Sequence, residues 1–440
     1  MTHPVDEILP PGRLLVLAIQ HVLTMYAGAV TVPLVISSAI HLDAVQTAYL
    51  VSSDLVACGL VTLVQCIGFG PVGVRLPVMM GVTFVSVGPS IAIASNPALG
   101  LPGVFGATIV SGILGVFIAP VFSRLRHLFA PVVTGTAMVL IGVSLMSAAV
   151  GFIAGGGGAA EPSDPLNVSL ALFVIVVILS ITRLARGFLA NTAVLLGIVA
   201  GFAVAYAAGR IDLTQVASAG WFSLISPLHF GLPRFDLLAA TSMTIVMLIT
   251  MVESSGMLFA LSRITERPLS TSDLARGLRA DAVGALLGGF FNSLPYTSYS
   301  QNVAIVAMTG VRSRFVCAAA GAVLILLGTL PKLSFLVTAI PQPVIGGAAL
   351  VMFGMVAANG VQTLGQIDFK AERKSLYVVA LGLSVGLIPA ENSRFFDRFP
   401  PIAANFLHNG VTLGIVTALT LNVLLNGAPR SIALAEQPAE

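Results

Sequence analysis

Hydrophobic positions along this chain come in long, unalternated runs separated by short polar stretches, a pattern that predicts membrane-spanning helices rather than strands. Against a crossing length of about 20 residues, apolar segments fall at 13–37, 48–67, 72–95, 103–121, 129–152, 167–184, 188–208, 238–262, 280–291, 301–310, 314–331, 334–358, 374–389 and 402–425. The longest polar connections are a Gly-rich stretch at 154–158 and the segment 210–237. The second divides the spans into seven and seven, and is expected to lie along the membrane surface with Trp221 and His229 at headgroup level. An odd number of spans per half requires halves of opposite orientation. The expected fold class is therefore an all-α polytopic membrane protein, about 14 transmembrane segments in a 7+7 inverted repeat.

Two of these segments are broken by polar residues. In 291–314, FNSLPYTSYSQNVAIVAMTGVRSR, a run of hydroxyl and amide side chains surrounds Pro295, and the apolar stretch that follows, Val303 to Met308, is too short to cross a bilayer. Its counterpart in the first half, PVGVRLPVMMGVTFVSVGPS, is interrupted by Pro77, Gly81, Thr83, Ser86, Gly88 and Pro89. Irregular backbone survives at membrane depth only when buried in protein or lining a cavity. A half-helix opening at Gln301 would aim unpaired N–H groups and a positive dipole end into such a cavity. Interrupted spans in corresponding positions of two halves mark a midplane binding site.

Composition narrows the class further. Only 9% of residues are charged, against about 25% in soluble chains, so membrane lipid is the surrounding medium. With the N-terminus cytoplasmic, sixteen of the 21 Lys and Arg fall on the cytoplasmic side, and Arg210, Arg234, Lys332, Arg394 and Arg398 fall outside. That bias supports both the span count and two cytoplasmic termini. The opening MTHPVDEILPPGR has no basic n-region or cleavage site, so no removable signal peptide is expected. The net charge of +3 is spread over loops and suggests no nucleic-acid partner. Cys58, Cys66 and Cys317 lack paired spacing, so neither a disulfide framework nor a zinc site is expected, and no metal or organic cofactor is read. The tail after Asn426 is polar, with no readable role.

Four ionisable residues stand inside apolar runs: His21, Asp54, Glu253 and Asp281. Each costs about 2.5–3.5 kcal/mol or more at mid-bilayer and needs a partner or a role. Glu253 is deepest, followed by Ser254, Ser255 and Gly256, which permit close approach by a neighbour; it can serve protonated as a donor or ionised as an acceptor. Asp281 stands at the start of its apolar run, where an N-cap is as good a reading as a functional acid. His21, beside Gln20, reads as a core histidine making one interhelical bond, with an orienting role near the site as the second reading. Asp54 is read as facing an interface. Gln301 and Asn302 offer carboxamides that suit a neutral planar ligand with alternating carbonyl and N–H edges. HExxH and GxSxG are absent, which argues against an intramembrane enzyme.

These residues resemble the nucleobase–ascorbate transporter family, the nucleobase/cation symporters, over nearly the whole chain. The family signature Gln/Glu/Pro-Asn-x-Gly-x-x-x-x-Thr-Arg/Lys/Gly is matched by Gln301-Asn302-Val303-Ala304-Ile305-Val306-Ala307-Met308-Thr309-Gly310, except that Ala304 replaces Gly. Gln20-His21 is similar to the family's Gln-His motif, and FNSLPYTSYSQN resembles the bacterial xanthine/uric acid permease branch. The resemblance implies proton-coupled uptake of a purine base across the inner membrane by a homodimer. It implies an N-terminal tail 1–12, core-domain segments 13–121 and 238–331, gate-domain segments 129–208 and 334–425, and a C-terminal tail 426–440. It further implies substrate contacts from Glu253, Gln301 and Asn302, an essential acid at Asp281, and support from His21. Thr83-Phe84 would present backbone to the base, Tyr299 would stack on its ring, and Thr83 leans the substrate towards urate over xanthine. Protonation of Glu253, Asp281 or both would then permit the core to move against the gate. The rivals are a transporter of another nucleobase such as uracil, and a passive facilitator or channel for small anions built on the same architecture.

Overall fold

The computed structural model of the chain describes residues 3–125, 131–155, 164–392, 394–399, 407 and 410–426. Part of the Gly-rich stretch, most of 402–409 and the tail after Asn426 lie outside the described residues. Helices α1 (Pro11–Ala39) and α2 (Ala44–Ile67) follow the first two apolar runs. Asp43 caps α2 by accepting the Gln46 N–H at 2.7 Å, and Gly68, at φ 73°, ends it. The third run is broken: strand β1 (Met80–Val82) leads through one 3-10 turn, Phe84–Ser86, into the short helix α3 (Val87–Ala94). Continuous helix resumes in α4 (Gly100–Leu125), α5 (Pro131–Ile153) and α6 (Pro165–Leu184). The seventh span divides at Thr192 into α7 (Phe188–Asn191) and α8 (Ala193–Ala207). The connection between the halves contains one short helix, α9 (Thr214–Ser218). Trp221 is exposed there, with the Lys332 ammonium 4.6 Å from its ring centre, and His229 stacks on Tyr49 at 3.7 Å between centres.

The second half comprises α10 (Leu237–Thr265), α11 (Thr271–Phe290), β2 (Tyr296–Ser298), α12 (Ser300–Thr309), α13 (Arg314–Gly328), α14 (Pro331–Thr338), α15 (Gln342–Leu364), α16 (Arg373–Glu391) and α17 (Gly410–Asn426). Two boundaries depart from the apolar pattern. Helix α11 starts at Thr271, well before the apolar run at 280, because its early turns carry Asp273, Arg276 and Arg279. A capping box fixes that start, the Ser270 hydroxyl accepting the Asp273 N–H at 3.0 Å and the Asp273 carboxylate accepting the Ser270 N–H at 3.2 Å. Asp281 is therefore a mid-helix residue, and the N-cap reading of it is wrong. The run at 334–358 is likewise not one span: α14 bends 78° from α13, and Pro341 precedes a fresh start at Gln342.

Helices α1, α2, α4, α10, α11 and α13 pack on one another, and α5, α6, α8, α15, α16 and α17 form a second group. Glycines set the closest approaches. A Cβ on Gly321 would stand 2.9 Å from the Gly59 carbonyl oxygen, and one on Gly59 would overlap the backbone of α13. Backbones meet this closely where small residues line a membrane interface. Gly59→Leu is expected to destabilise the protein by about 1–3 kcal/mol or more through overpacking. Thermal unfolding in detergent checks this; an unchanged transition would mean that α2 and α13 can separate at no cost.

Candidate functional site

The two broken spans meet in a two-stranded antiparallel sheet. Met80 pairs with Ser298, Gly81 with Thr297, and Val82 with Tyr296. The Thr83 N–H donates to the Pro295 carbonyl at 2.9 Å and the Tyr299 N–H to that of Met79 at 3.0 Å, extending the ladder at both ends. Pro295, which has no N–H to give, supplies only its carbonyl. Because the strands are antiparallel and each runs into a helix, α3 and α12 leave the sheet in opposite directions, with their N-terminal, electropositive ends beside it. At the first of these ends the Thr83 hydroxyl accepts the Val85 N–H at 3.3 Å and the Thr83 carbonyl accepts the Ser86 N–H at 3.3 Å, while the Phe84 N–H opens the turn.

Helix α10 flanks the sheet and supplies the acid. The Thr297 hydroxyl donates to Glu253 Oε2 at 3.2 Å, and the Ser298 N–H donates to the Ser254 hydroxyl at 3.1 Å. Glu253, half-buried, lines a cavity of about 40 Å³ with Phe84, Val85, Ile249 and Val252 on one side. The other side comes from the second helix group: Val133, Ala137, Met138 and Ile141 of α5, Val356 of α15 and Ile415 of α17. A cavity that takes up benzene measures about 150 Å³, so this one is smaller than a bicyclic base requires. The Phe84 ring meets Phe353 of α15 edge-on, at 5.7 Å between centres, and closes the seam between the groups.

The remaining expected site residues sort by their partners. Asn302 is buried and donates through Nδ2 to His21 Nδ1 at 3.1 Å and to the His21 carbonyl at 2.9 Å. Its Oδ1 is buried without a partner. His21 thus makes the interhelical bond expected of it and makes it at the site, joining α1 to the first turn of α12. Gln301 stands on the exposed face of that turn, its carbonyl oxygen 3.5 Å from the Ser300 hydroxyl, and is not part of the cavity lining. Tyr299 is buried, its ring against Gly28 and Gly81 and its hydroxyl donating to the Val82 carbonyl at 3.0 Å. Asp281 is fully buried; Gln65 Nε2 lies 3.5 Å from its Oδ1, and its Oδ2 has no partner. Asp54, which the apolar pattern left at an interface, is 1% exposed and accepts from Ser293, Tyr296 and Cys58. Its aspartate identity within an apolar run was visible in the sequence; the hydroxyls that would meet it were not. Among the described residues no His, Cys, Asp and Glu group is placed to hold a metal ion.

Two broken spans crossing at a small sheet, with a carboxyl at the seam between two helix groups, define a membrane transporter of the 7+7 inverted-repeat fold. The fold is shared with the transmembrane domain of a cyanobacterium bicarbonate transporter, BicA, at TM-score 0.57 and 16% identity, covering 95% of this chain and 99% of that one. Murine solute carrier 26 family member A9, an anion transporter in the inward-facing state, aligns at TM-score 0.62 and 12% identity, covering 93% and 68%. At the level of sequence, residues 12–394 match a permease family, and the chain belongs to the nucleobase–ascorbate transporter family, a family of permeases and not of enzymes. It is 47% identical to the uric acid transporter UacT of Escherichia coli over 97% of this chain and 89% of that one. It is 41% identical to the uric acid permease PucK of Bacillus subtilis (93% and 95% covered) and 40% identical to the xanthine permease of the same organism (94% and 94%).

Proposed function

We propose that this protein is a proton-coupled importer of a purine base, uric acid or xanthine, in the bacterial inner membrane. The observation that carries the reading is the Thr297–Glu253 pair at the meeting of two half-helix ends, in a chain whose relatives are named for those bases. Glu253 and Gln301 read the polar edge of the base, with backbone N–H groups at Phe84 and in the first turn of α12. Asn302 and His21 hold that turn in place, and Thr83 shapes the other end. Protonation at Glu253, at Asp281 or at both as a coupled pair neutralises buried charge and permits the helix groups to shift. The proton is the only coupling ion and no further cofactor takes part. The group of α1, α2, α4, α10, α11 and α13 serves as the core and the second group as the gate; α14, which packs on α2, moves with the core. Because the cavity is too small for the base, the gate helices α5 and α17 must draw back from Phe84 and Glu253 for it to enter. Both termini are cytoplasmic and the working unit is a homodimer.

The test is uptake of labelled urate and xanthine in cells lacking their own permeases. The coupling proton is a co-substrate on the outside, so uptake rises as external pH falls. Saturable uptake that is stronger at acid pH and abolished by a protonophore is expected. Uptake indifferent to the protonophore would make the protein a passive facilitator. No uptake of either base, with protein in the membrane, would assign it another ligand, uracil first.

A further inference from the structure

The carboxyl of Asp54 has no part in the substrate contacts or proton steps proposed above, yet it is the most heavily bonded acid among the described residues of the spans. Its Oδ1 accepts the Ser293 hydroxyl at 2.6 Å and the Tyr296 hydroxyl at 3.0 Å, and its Oδ2 faces the Cys58 thiol at 3.6 Å. Ser293 and Tyr296 also touch each other at 2.7 Å, closing a triangle of oxygens. Ser293, Tyr296 and Asp54 are all sealed from solvent, and no Lys, Arg or His forms an ion pair with Asp54 among the described residues. Removing such an acceptor would leave two buried hydroxyls without it.

What these hydroxyls belong to gives the cluster its meaning. Ser293 opens the turn into β2 and Tyr296 is the first residue of β2. Side chains alternate along a strand, so Tyr296 and Ser298 point to one face of β2 and Thr297 to the other. Thr297 is the residue that donates to Glu253. The sheet has only three residue pairs, too few to fix its own register. A slip by one residue would exchange the faces and take the Thr297 hydroxyl away from Glu253.

We infer that Asp54 is the register anchor of β2: by gripping Ser293 and Tyr296 from behind the sheet, it holds Thr297 against Glu253 and sets the first turn of α12 at the substrate. It is a positioning residue, and the inference rests on the reading of Glu253 as a purine-binding carboxyl. The chemistry it requires is an acceptor, so the conservative variant Asp54→Asn, which keeps Oδ1, supports the strand where Asp54→Ala does not.

Urate and xanthine affinities of the purified protein are measured by calorimetry for D54A, D54N, T297A and the double variant D54A/T297A. Loss of the anchor is expected to weaken binding about tenfold or more, D54N to stay within about threefold, and D54A/T297A to bind no worse than D54A alone, since residues acting through one contact are non-additive. Wild-type affinity in D54A, or single effects that multiply in the double variant, would overturn the proposal. If D54A does not fold, Y296F and S293A carry the same test, each with a smaller loss. A ligand-independent readout separates this proposal from the functional reading: the cysteine pair M80C/S298C, at facing positions, is expected to form a disulfide by mass spectrometry, and Y296F to divert it to M80C/T297C. A wild type that binds neither base would refute the purine reading, whereas unchanged cross-linking in Y296F would refute the anchor.

Discussion

Glu253→Gln is expected to abolish concentrative uptake while leaving base binding within about tenfold of wild type, and Glu253→Ala to lose both. The glutamine amide keeps the length of the side chain and still accepts from the Thr297 hydroxyl, whose contact with Oε2 is 3.2 Å. It cannot gain or lose a proton, so a cycle that depends on neutralising the carboxyl stops. Alanine removes the acceptor as well and leaves the Thr297 hydroxyl with only that of Ser254, 3.3 Å away, beside a hole in the cavity wall. Truncating a buried, hydrogen-bonded charged partner costs about 2–5 kcal/mol, and about 2.8 kcal/mol of that is a hundredfold in Kd. Binding by calorimetry and accumulation in cells, measured on the same variants, separate the two roles. Normal accumulation by Glu253→Gln would take the coupling proton away from Glu253 and leave Asp281, whose Oδ2 is buried and unpartnered, as the acid that carries it.

Much of this arrangement was readable along the chain, and the reason is physical. A polar, Pro-interrupted run cannot face hydrocarbon, so FNSLPYTSYSQN and the stretch around Gly81 had to be buried in protein, and the two meet in the β1–β2 sheet. Glu253 was legible for the same reason, as an acid too deep in an apolar run to be accidental. Missing were the facts that depend on which distant residues meet. Nothing local says that Asp54 faces Ser293 and Tyr296, more than two hundred residues away, and an aspartate near the start of an apolar run reads as an edge residue until its partners are known. The charged first turns of α11 hid its start, because a hydropathy pattern discards Asp273, Arg276 and Arg279, although they belong to the same helix. Gln301, conspicuous in the sequence, stands exposed beside the site and makes no contact with the cavity between Phe84 and Glu253 in this arrangement of the helices. Tyr299 was expected to stack on the substrate from resemblance alone, and its surroundings give the ring a second task.

That task leads to the other large effect. Gly81→Ala is expected to lower uptake at least as severely as Glu253→Gln and to reduce thermal stability by about 1–3 kcal/mol, the range for overpacking. A methyl at Gly81 would overlap the hydroxyl-bearing edge of the Tyr299 ring. The ring has no route of escape: the Tyr299 N–H is tied to the Met79 carbonyl and its hydroxyl to the Val82 carbonyl, both at 3.0 Å, so the side chain arches over Gly81 with both ends fixed to β1. Its far edge packs towards Gly28 of α1, where an added Cβ would stand 3.2 Å from the ring. Relief requires β1 and β2 to part, and with them the N-terminal ends of α3 and α12. Tyr299→Phe keeps the ring and loses one hydrogen bond, for about 1 kcal/mol, and is expected to transport. Tyr299→Leu in the Gly81→Ala background makes room for the methyl and separates the two tasks of the tyrosine. Recovered stability with recovered uptake would make Tyr299 a packing residue only. Recovered stability without uptake would mean that the base also needs the aromatic ring, and a Gly81→Ala protein as stable and active as wild type would show that the ring is free to move.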